Sequence, residues 1–349
     1  MTKRCASANF CRYRIYKNPG EGGAEMKKII CLLAVILLLT AMTSCAKQPE
    51  PDKKSSVVVG FSQLGAESSW RIANTESMEK AARDAGFGLM MENANQKQDK
   101  QIDAIRSFIA YQVDVIVFSP IVENGWENIL KEALLSGIPV ILMDRMISNP
   151  EENFYTTYIG ADFYAEGRRA GEYLIRKADA MNAERMNIVE ICGTIGSTPM
   201  RDRQRGFMDA IKDDPRFNVI DSICGDFLRS MGGECMEYML YKHGADAIDV
   251  IYSHNDSMTL GVLDVLEQKN IQPGKDIILI TVDGEKEAVD ALKAGKINCV
   301  VQCTPDLGPS VMELVRKLKA GEQVPRITHP QEGIFCDFDD LSDPAVEGF

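Results

Sequence analysis

Residues 115–145 read VIVFSPIVENGWENILKEALLSGIPVILMDR, and their order decides the fold. Val115–Phe118 is a short apolar, β-branched run, Gly125–Leu135 carries apolar residues at helical spacing, and Val140–Met143 is apolar again after Gly137-Ile-Pro. Strand, helix and strand in that succession predict neighbouring parallel strands whose faces are covered by their crossover helices. Upstream the phrase repeats. Val57–Val59 continues through Gly60-Phe61, an amphipathic stretch runs from Trp70 to Ala85 and stops at Gly86, and strand Leu89–Glu92 precedes helix Gln98–Tyr111. A second series follows Tyr158-Ile-Gly160: helix Tyr164–Ala178, strand Asn187–Ile191, helix Met200–Lys212, strand Val219–Cys224, helix Ser230–Tyr241, strand Val250–Ser253, helix Met258–Gln268 and strand Ile277–Val282. The two series match in length and order. They predict an α/β protein of two similar, doubly wound parallel-sheet lobes, with ligand-binding loops at the carboxyl ends of the strands.

The N-terminus carries a different signal. Met26 opens a better beginning than Met1, with Lys27 and Lys28 ahead of an unbroken apolar run from Ile29 to Leu39. That run is a secretory h-region, shorter than the ~20 residues a membrane span needs. It leads into Ala41-Met-Thr-Ser-Cys45-Ala46, small residues before a cysteine that mark a processing site. The segment resembles a bacterial lipobox, which implies lipidation of Cys45; plain signal-peptidase cleavage and a free periplasmic protein is the alternative. Residues 46–56 read as a flexible tether. Residues 1–25 have no apolar periodicity and are expected to be an untranslated or disordered extension, ahead of a signal peptide over residues 26–45.

A net charge of −12 argues against nucleic acid as a partner. Six of the ten cysteines follow the signal segment, and they read as small core residues rather than a disulfide frame. No cofactor and no metal are expected, because Cys299 and Cys303 have no second Cys/His pair and sit in strand-like alternation. His243, His254 and His329 are scattered, with no nucleophile–histidine–acid order, so the chain does not read as an enzyme. Gly193-Thr-Ile-Gly196 lacks the ending of a phosphate loop.

The candidate ligand-binding residues fall just after strands: Glu67, Ser68, Trp70 and Arg71 after the first, Ser119 after the third, Asp144 and Arg145 after the fourth. The second series adds Arg203, Asp226 with Phe227, Asn255 with Asp256, Asp283 and finally Gln302. Carboxylate, amide and guanidinium groups exchange paired hydrogen bonds with adjacent hydroxyls, and an aromatic ring covers a sugar's C–H face. Plainer readings stand beside these. Asp144-Arg145 also reads as a surface ion pair, Trp70 as the first core residue of its helix, and Arg203 as part of a solvated face with Arg201 and Arg205. Asn255 and Asp256 also read as a helix cap, Asp283-Gly284 as a turn, and Trp126 as packing beneath a loop.

Taken in order, Gly60-Phe-Ser-Gln, Glu67-Ser-Ser-Trp-Arg71, Gln96-Lys-Gln98, Leu142-Met-Asp-Arg145, Asp202-Arg-Gln-Arg-Gly-Phe207, Gly225-Asp-Phe227, His254-Asn-Asp256, Val282-Asp-Gly284 and Thr304-Pro305 resemble the type I periplasmic sugar-binding proteins of ABC importers, nearest to the galactofuranose binders. The resemblance spans residues 57–330. It implies that Trp70 stacks on a sugar ring, that Asp144, Asn255 and Asp283 take hydroxyls, and that Arg71, Arg145 and Arg203 donate to ring or hydroxyl oxygens. Gln302 stands where an acid is expected, with a register uncertain by one residue, and Ser119 replaces a small apolar residue. The resemblance also implies three hinge crossings near residues 161, 303 and 331, giving an N-terminal lobe of 57–161 plus 304–331 and a C-terminal lobe of 162–303 plus 332–349. The function so implied is a lipid-anchored, extracytoplasmic monomer that delivers a monosaccharide to ABC permease subunits. The alternative is a sensor presenting the sugar to a membrane histidine kinase.

Overall fold

The structure, a computed structural model, describes residues 57–148 and 154–349. The expected extension, signal peptide, lipidated Cys45 and tether lie outside the described residues. Within them, six strands form each of two sheets. The first sheet contains β1 (Val58–Gln63), β2 (Gly88–Asn93), β3 (Val115–Phe118), β4 (Val140–Met143), β5 (Thr157–Ile159) and β11 (Ile327–Thr328), in the order β11-β5-β4-β3-β1-β2. The second contains β6 (Met186–Cys192), β7 (Phe217–Cys224), β8 (Val250–Ser253), β9 (Ile278–Asp283), β10 (Cys299–Gln302) and β12 (Ile334–Cys336), in the order β12-β10-β9-β8-β6-β7. Strand pairing is parallel except between β10 and β12. The two-lobed parallel α/β architecture read from the sequence is the architecture observed.

Local chemistry explains the elements. β3 and β4 are buried along their whole length, as strands covered on both faces must be. Helix α1 (Ser69–Ala85) starts where the Ser68 hydroxyl accepts the Arg71 amide at 3.2 Å, and stops at Gly86 in the left-handed conformation, φ 70°. The first lobe adds α2 (Gln98–Ala110) and α3 (Glu127–Leu135). The second is built on α4 (Phe163–Met181), α5 (Thr198–Ile211), α6 (Arg229–His243), α7 (Asp256–Gln268) and α8 (Lys286–Lys293). Helix α9 (Gly308–Lys319) packs on α1. Trp126 lies beneath its loop, its ring 5.1 Å from Phe118 and its indole N–H donating to the Val122 carbonyl at 2.7 Å. Among the described residues no helix is long and apolar enough to cross a membrane.

The chain passes between the two sheets three times, over residues 160–162, 303–307 and 329–333. The first passage leads from β5 into α4, the second from β10 into α9, and the third from β11 into β12. Helices α4 and α5 pack unusually closely because glycines face backbone there. A Cβ on Gly167 would run into the Arg203 carbonyl, and one on Gly206 into the Tyr164 carbonyl. We expect Gly206→Ala to lower the unfolding free energy by about 1–3 kcal/mol through overpacking, against a helix-propensity gain of about 1 kcal/mol at most. Urea denaturation measures the balance, and a stabilised variant would contradict the close approach.

Candidate ligand-binding cleft

The carboxyl ends of both sheets face a common, narrow cavity with about 30 Å³ of free volume. From the first lobe it is lined by Glu67, Ser68, Trp70, Arg71, Asp144 and Arg145. From the second come Arg203, Phe227, Asn255 and Asp283. These residues are far apart in sequence and meet because each follows a strand or lies in the first two turns of a helix at the same rim. Three backbones there are held at positive φ: Asp144 at 65°, Phe227 at 62° and Asp283 at 130°. Non-glycine residues adopt such conformations at a cost, which folded structures accept mainly at functional sites.

Buried ion pairs organise the polar wall. Arg71 donates to Asp144 at 2.7 Å and to Glu67 at 3.1 Å, and the Ser119 hydroxyl donates to the same Asp144 oxygen at 3.0 Å. Burial alone would pull Arg71 down, but Asp144 and Glu67 outweigh it and hold the guanidinium above its ordinary pKa. Arg145 donates to the Ile121 carbonyl at 2.9 Å and sits 5.4 Å above the Phe227 ring. Burial and the neighbouring Arg71 charge push Arg145 down to about 10, so it stays cationic at neutral pH. Arg203 donates to Glu166 at 2.7 Å and to the His254 carbonyl at 2.6 Å, and lies 3.7 Å from Asp283. Burial pushes the Asp283 carboxyl well up; Arg203 opposes this, and the charges of Asp256 and Glu285 add to it. Three lining residues keep buried polar atoms without a hydrogen-bond partner: Oε2 of Glu67, Nη1 of Arg71 and Nε of Arg145, the last 4.0 Å from Asp144.

Several residues that admitted two readings are now placed. Asp144 and Arg145 are buried rather than a surface pair, and Arg203 points inward while Arg201 and Arg205 are exposed. Trp70 both joins the core cluster and lines the cavity, its indole N–H donating to the Cys303 carbonyl at 2.8 Å. Asn255 caps α7 by accepting the Met258 amide at 3.0 Å, donates to the Phe227 carbonyl at 3.3 Å, and lines the cavity as well. Asp256 stands behind the wall, accepting the amides of Gly284 and Glu285 at 2.7 Å each and so fixing the turn that carries Asp283. Asp226 and Ser119 are outside the lining, Ser119 acting on it through Asp144.

Gln302 is not brought to the cavity. Its side-chain oxygen accepts the Gly333 amide at 3.0 Å, and the next residue, Cys303, lines the cavity instead. Successive strand residues point to opposite faces, so a one-residue difference in register exchanges the two. Phe163 and Pro199, in the first turns of α4 and α5, also line the cavity and were not anticipated. Helix starts after crossings and strands were the available signal, but apolar residues there read as core.

The lobes also touch directly at the cleft mouth. Glu123 pairs with Arg201, the Glu123 amide donates to the Gly196 carbonyl at 2.9 Å, and the Met146 amide donates to the Thr198 hydroxyl at 3.1 Å. At the crossings, Glu166, Cys303 and Glu332 bring their ligating atoms within 4.8 Å of one another.

Two α/β lobes joined by three crossings around one shared polar–aromatic cavity define a two-lobed small-molecule binding protein. The chain belongs to the periplasmic binding protein family, whose domain model matches residues 59–323. It is 37% identical to the galactofuranose-binding protein YtfQ of Escherichia coli K12 over 318 residues, 90% of this chain and 96% of the relative. A Mycobacterium smegmatis protein solved in complex with β-D-fucofuranose is 43% identical, with TM-score 0.78 over 81% of this chain and 92% of that one. The binding component of the arabinose ABC transporter of Shewanella sp. ANA-3, solved with α- and β-L-arabinofuranose, is 35% identical, with TM-score 0.77 over 80% of this chain and 92% of that one. These relatives are sugar-binding proteins rather than enzymes.

Burial, with the charge of Glu166 adding to it, pushes the partly buried Glu332 up to about 8. A free glutamate titrates near about 4.3. The folded state therefore holds the proton more tightly, and the associated stability is complete below the unfolded value and lost as pH rises through about 8. Melting temperature is expected to fall between pH 6 and pH 9 by calorimetry, and Glu332→Gln to flatten that fall. Parallel curves for both proteins would refute the assignment.

Proposed function

We propose that the cleft binds a monosaccharide in its furanose form, with galactofuranose as the leading candidate, and that the chain is the lipid-anchored, extracytoplasmic binding component of an ABC sugar importer. The observation that carries this reading is a small cavity, shared by two lobes, in which buried guanidinium and carboxylate atoms lack hydrogen-bond partners. An unsatisfied buried polar group costs about 1–3 kcal/mol, and ring hydroxyls would satisfy several at once. Trp70 and Phe227 bring one aromatic ring from each lobe to the apolar face of the sugar. Asp144, Asn255 and Asp283 take hydroxyl hydrogens, and Arg71, Arg145 and Arg203 donate to oxygens. Relatives that bind galactofuranose, fucofuranose and arabinofuranose support the ring form. The three crossings act as the hinge, Cys45 carries the lipid, and the monomeric closed form presents both lobes to the permease.

Calorimetric titration of the protein with galactofuranose, arabinose, ribose, galactose and glucose tests the reading. Binding is expected for galactofuranose ahead of the pyranose-dominated sugars; no heat with any of the five would overturn it. Ligand-dependent ATP hydrolysis with a reconstituted importer supports the transport role, whereas ligand-dependent phosphorylation of a membrane histidine kinase would replace it with sensing. Asp144→Asn and Asp283→Ala are each expected to weaken binding at least tenfold, about 1.4 kcal/mol; unchanged affinity in both would remove the pocket.

Glu123 and Arg201 touch across the mouth without lining the cavity. Glu123→Gln is therefore expected to speed sugar release severalfold in stopped-flow fluorescence while leaving the order of preference among sugars unchanged. A changed order would mean that Glu123 contacts the ligand.

A further inference from the structure

Cys299 and Cys336 stand directly opposite each other where β10 meets β12. The Asp337 amide donates to the Asn298 carbonyl and the Gln302 amide to the Gly333 carbonyl, each at 3.0 Å, and this phase makes 299 and 336 a non-hydrogen-bonded pair. Such pairs bring Cα atoms to about 4.5 Å and send both side chains to the same face. Disulfides need Cα atoms about 4.4–6.8 Å apart and Cβ atoms about 3.5–4.5 Å apart, while opposed Cβ atoms lie about 4.5–5.5 Å apart. A small approach of the strands closes the difference, and the resulting bond is strained and readily reduced.

Burial, with Asp339 adding to it, holds the Cys336 thiol above its ordinary pKa, so its thiolate forms when the edge strand opens. Arg176 donates to its sulfur at 3.4 Å, and Asp339 accepts its thiol hydrogen at 3.3 Å. Both cysteines are buried free thiols, but β12 is only three residues long and lies at the edge of its sheet, so brief opening exposes them. Cys192 and Cys224 are opposed as well, yet on parallel strands, and the Cys224 thiol is directed to the Gly193 carbonyl at 3.3 Å.

We propose that Cys299 and Cys336 form an oxidation site, reduced in this structure and closed to a cross-strand disulfide by a low-molecular-weight disulfide. The Cys336 thiolate attacks one sulfur of the oxidant and expels the first thiolate, giving a mixed disulfide. The Cys299 thiolate then attacks the Cys336 sulfur and expels the second. The two protein thiols are oxidised, the oxidant is reduced to two thiols, and the two protons pass to the leaving thiolates. Disulfides persist outside the cytoplasm, where this family works. Because β10 leads into the second crossing and β12 ends the third, the bond ties together the strands on which both crossings land in the second lobe.

The test is incubation of the full chain with oxidised glutathione under native conditions, alkylation of remaining thiols and peptide mass mapping. The expected product is a Cys299–Cys336 linked peptide, about 2 Da lighter than its two reduced parts and released by dithiothreitol. The melting temperature should rise by a few degrees on oxidation and return on reduction. Cys192→Ser should keep the link and Cys336→Ser lose it. Recovery of both cysteines alkylated, a stable glutathione adduct on either, or a link confined to other cysteines would overturn the proposal, and because the wild-type chain decides this, a misfolded variant does not shelter it. Sugar binding is not a readout, so failure here leaves the functional reading untouched.

Discussion

Three guanidinium groups, Arg71, Arg145 and Arg203, are buried between two lobes, and the desolvation of each ion costs several kcal/mol before any partner is counted. Much of the cleft answers that constraint. Arg71 is held between two carboxylates, Arg203 between Glu166 and a carbonyl, and Arg145 by a carbonyl and the face of Phe227. Each partner is fixed in turn from behind: Ser119 orients Asp144, and Asp256 holds the backbone turn on which Asp283 rides. These supporting groups specify geometry without facing the cavity.

The same constraint accounts for the backbone. To turn a side chain from the end of a strand into the space between sheets, the chain reverses sharply, and Asp144, Phe227 and Asp283 do so with positive φ. Aspartate tolerates the left-handed region better than most residues, which fits Asp144 at 65°, whereas Asp283 at 130° lies beyond that region. Phe227 has no such excuse. Its neighbour Asp226 is also at positive φ, 53°, and the pair throws the ring over Gly193, where a Cβ would collide with it.

The alternation of apolar runs and helical stretches made the two lobes legible, because parallel sheets covered on both faces leave a strong imprint on sequence. The rim position of polar residues after strands was equally legible, since it follows from the strand ends alone, and ten of the fourteen candidate residues line the cavity. Register was not. Gln302 and Cys303 differ by one position, and only the pairing of β10 with its neighbours decides which one faces inward. Phe163 and Pro199 were hidden for another reason: an apolar residue at a helix start looks alike whether it meets the core or a cavity. Glu166 and Glu332 were out of reach too, because they converge only where separate crossings run side by side.

Closure is where these pieces act against one another. The mouth contacts of Glu123 with Arg201 and of Met146 with Thr198 favour the shut form without any ligand. The buried arginines oppose it, since Arg71 weakens the hold of Arg145 on its charge and unpartnered polar atoms remain inside. On the proposed function, a sugar that supplies acceptors to those arginines relieves the second term and leaves the first intact. On that same proposal, its differential affinity for the shut form, rather than its contacts with either lobe alone, sets the population shift. A ligand missing one hydroxyl loses twice, through an unmet buried group and through a less populated closed state.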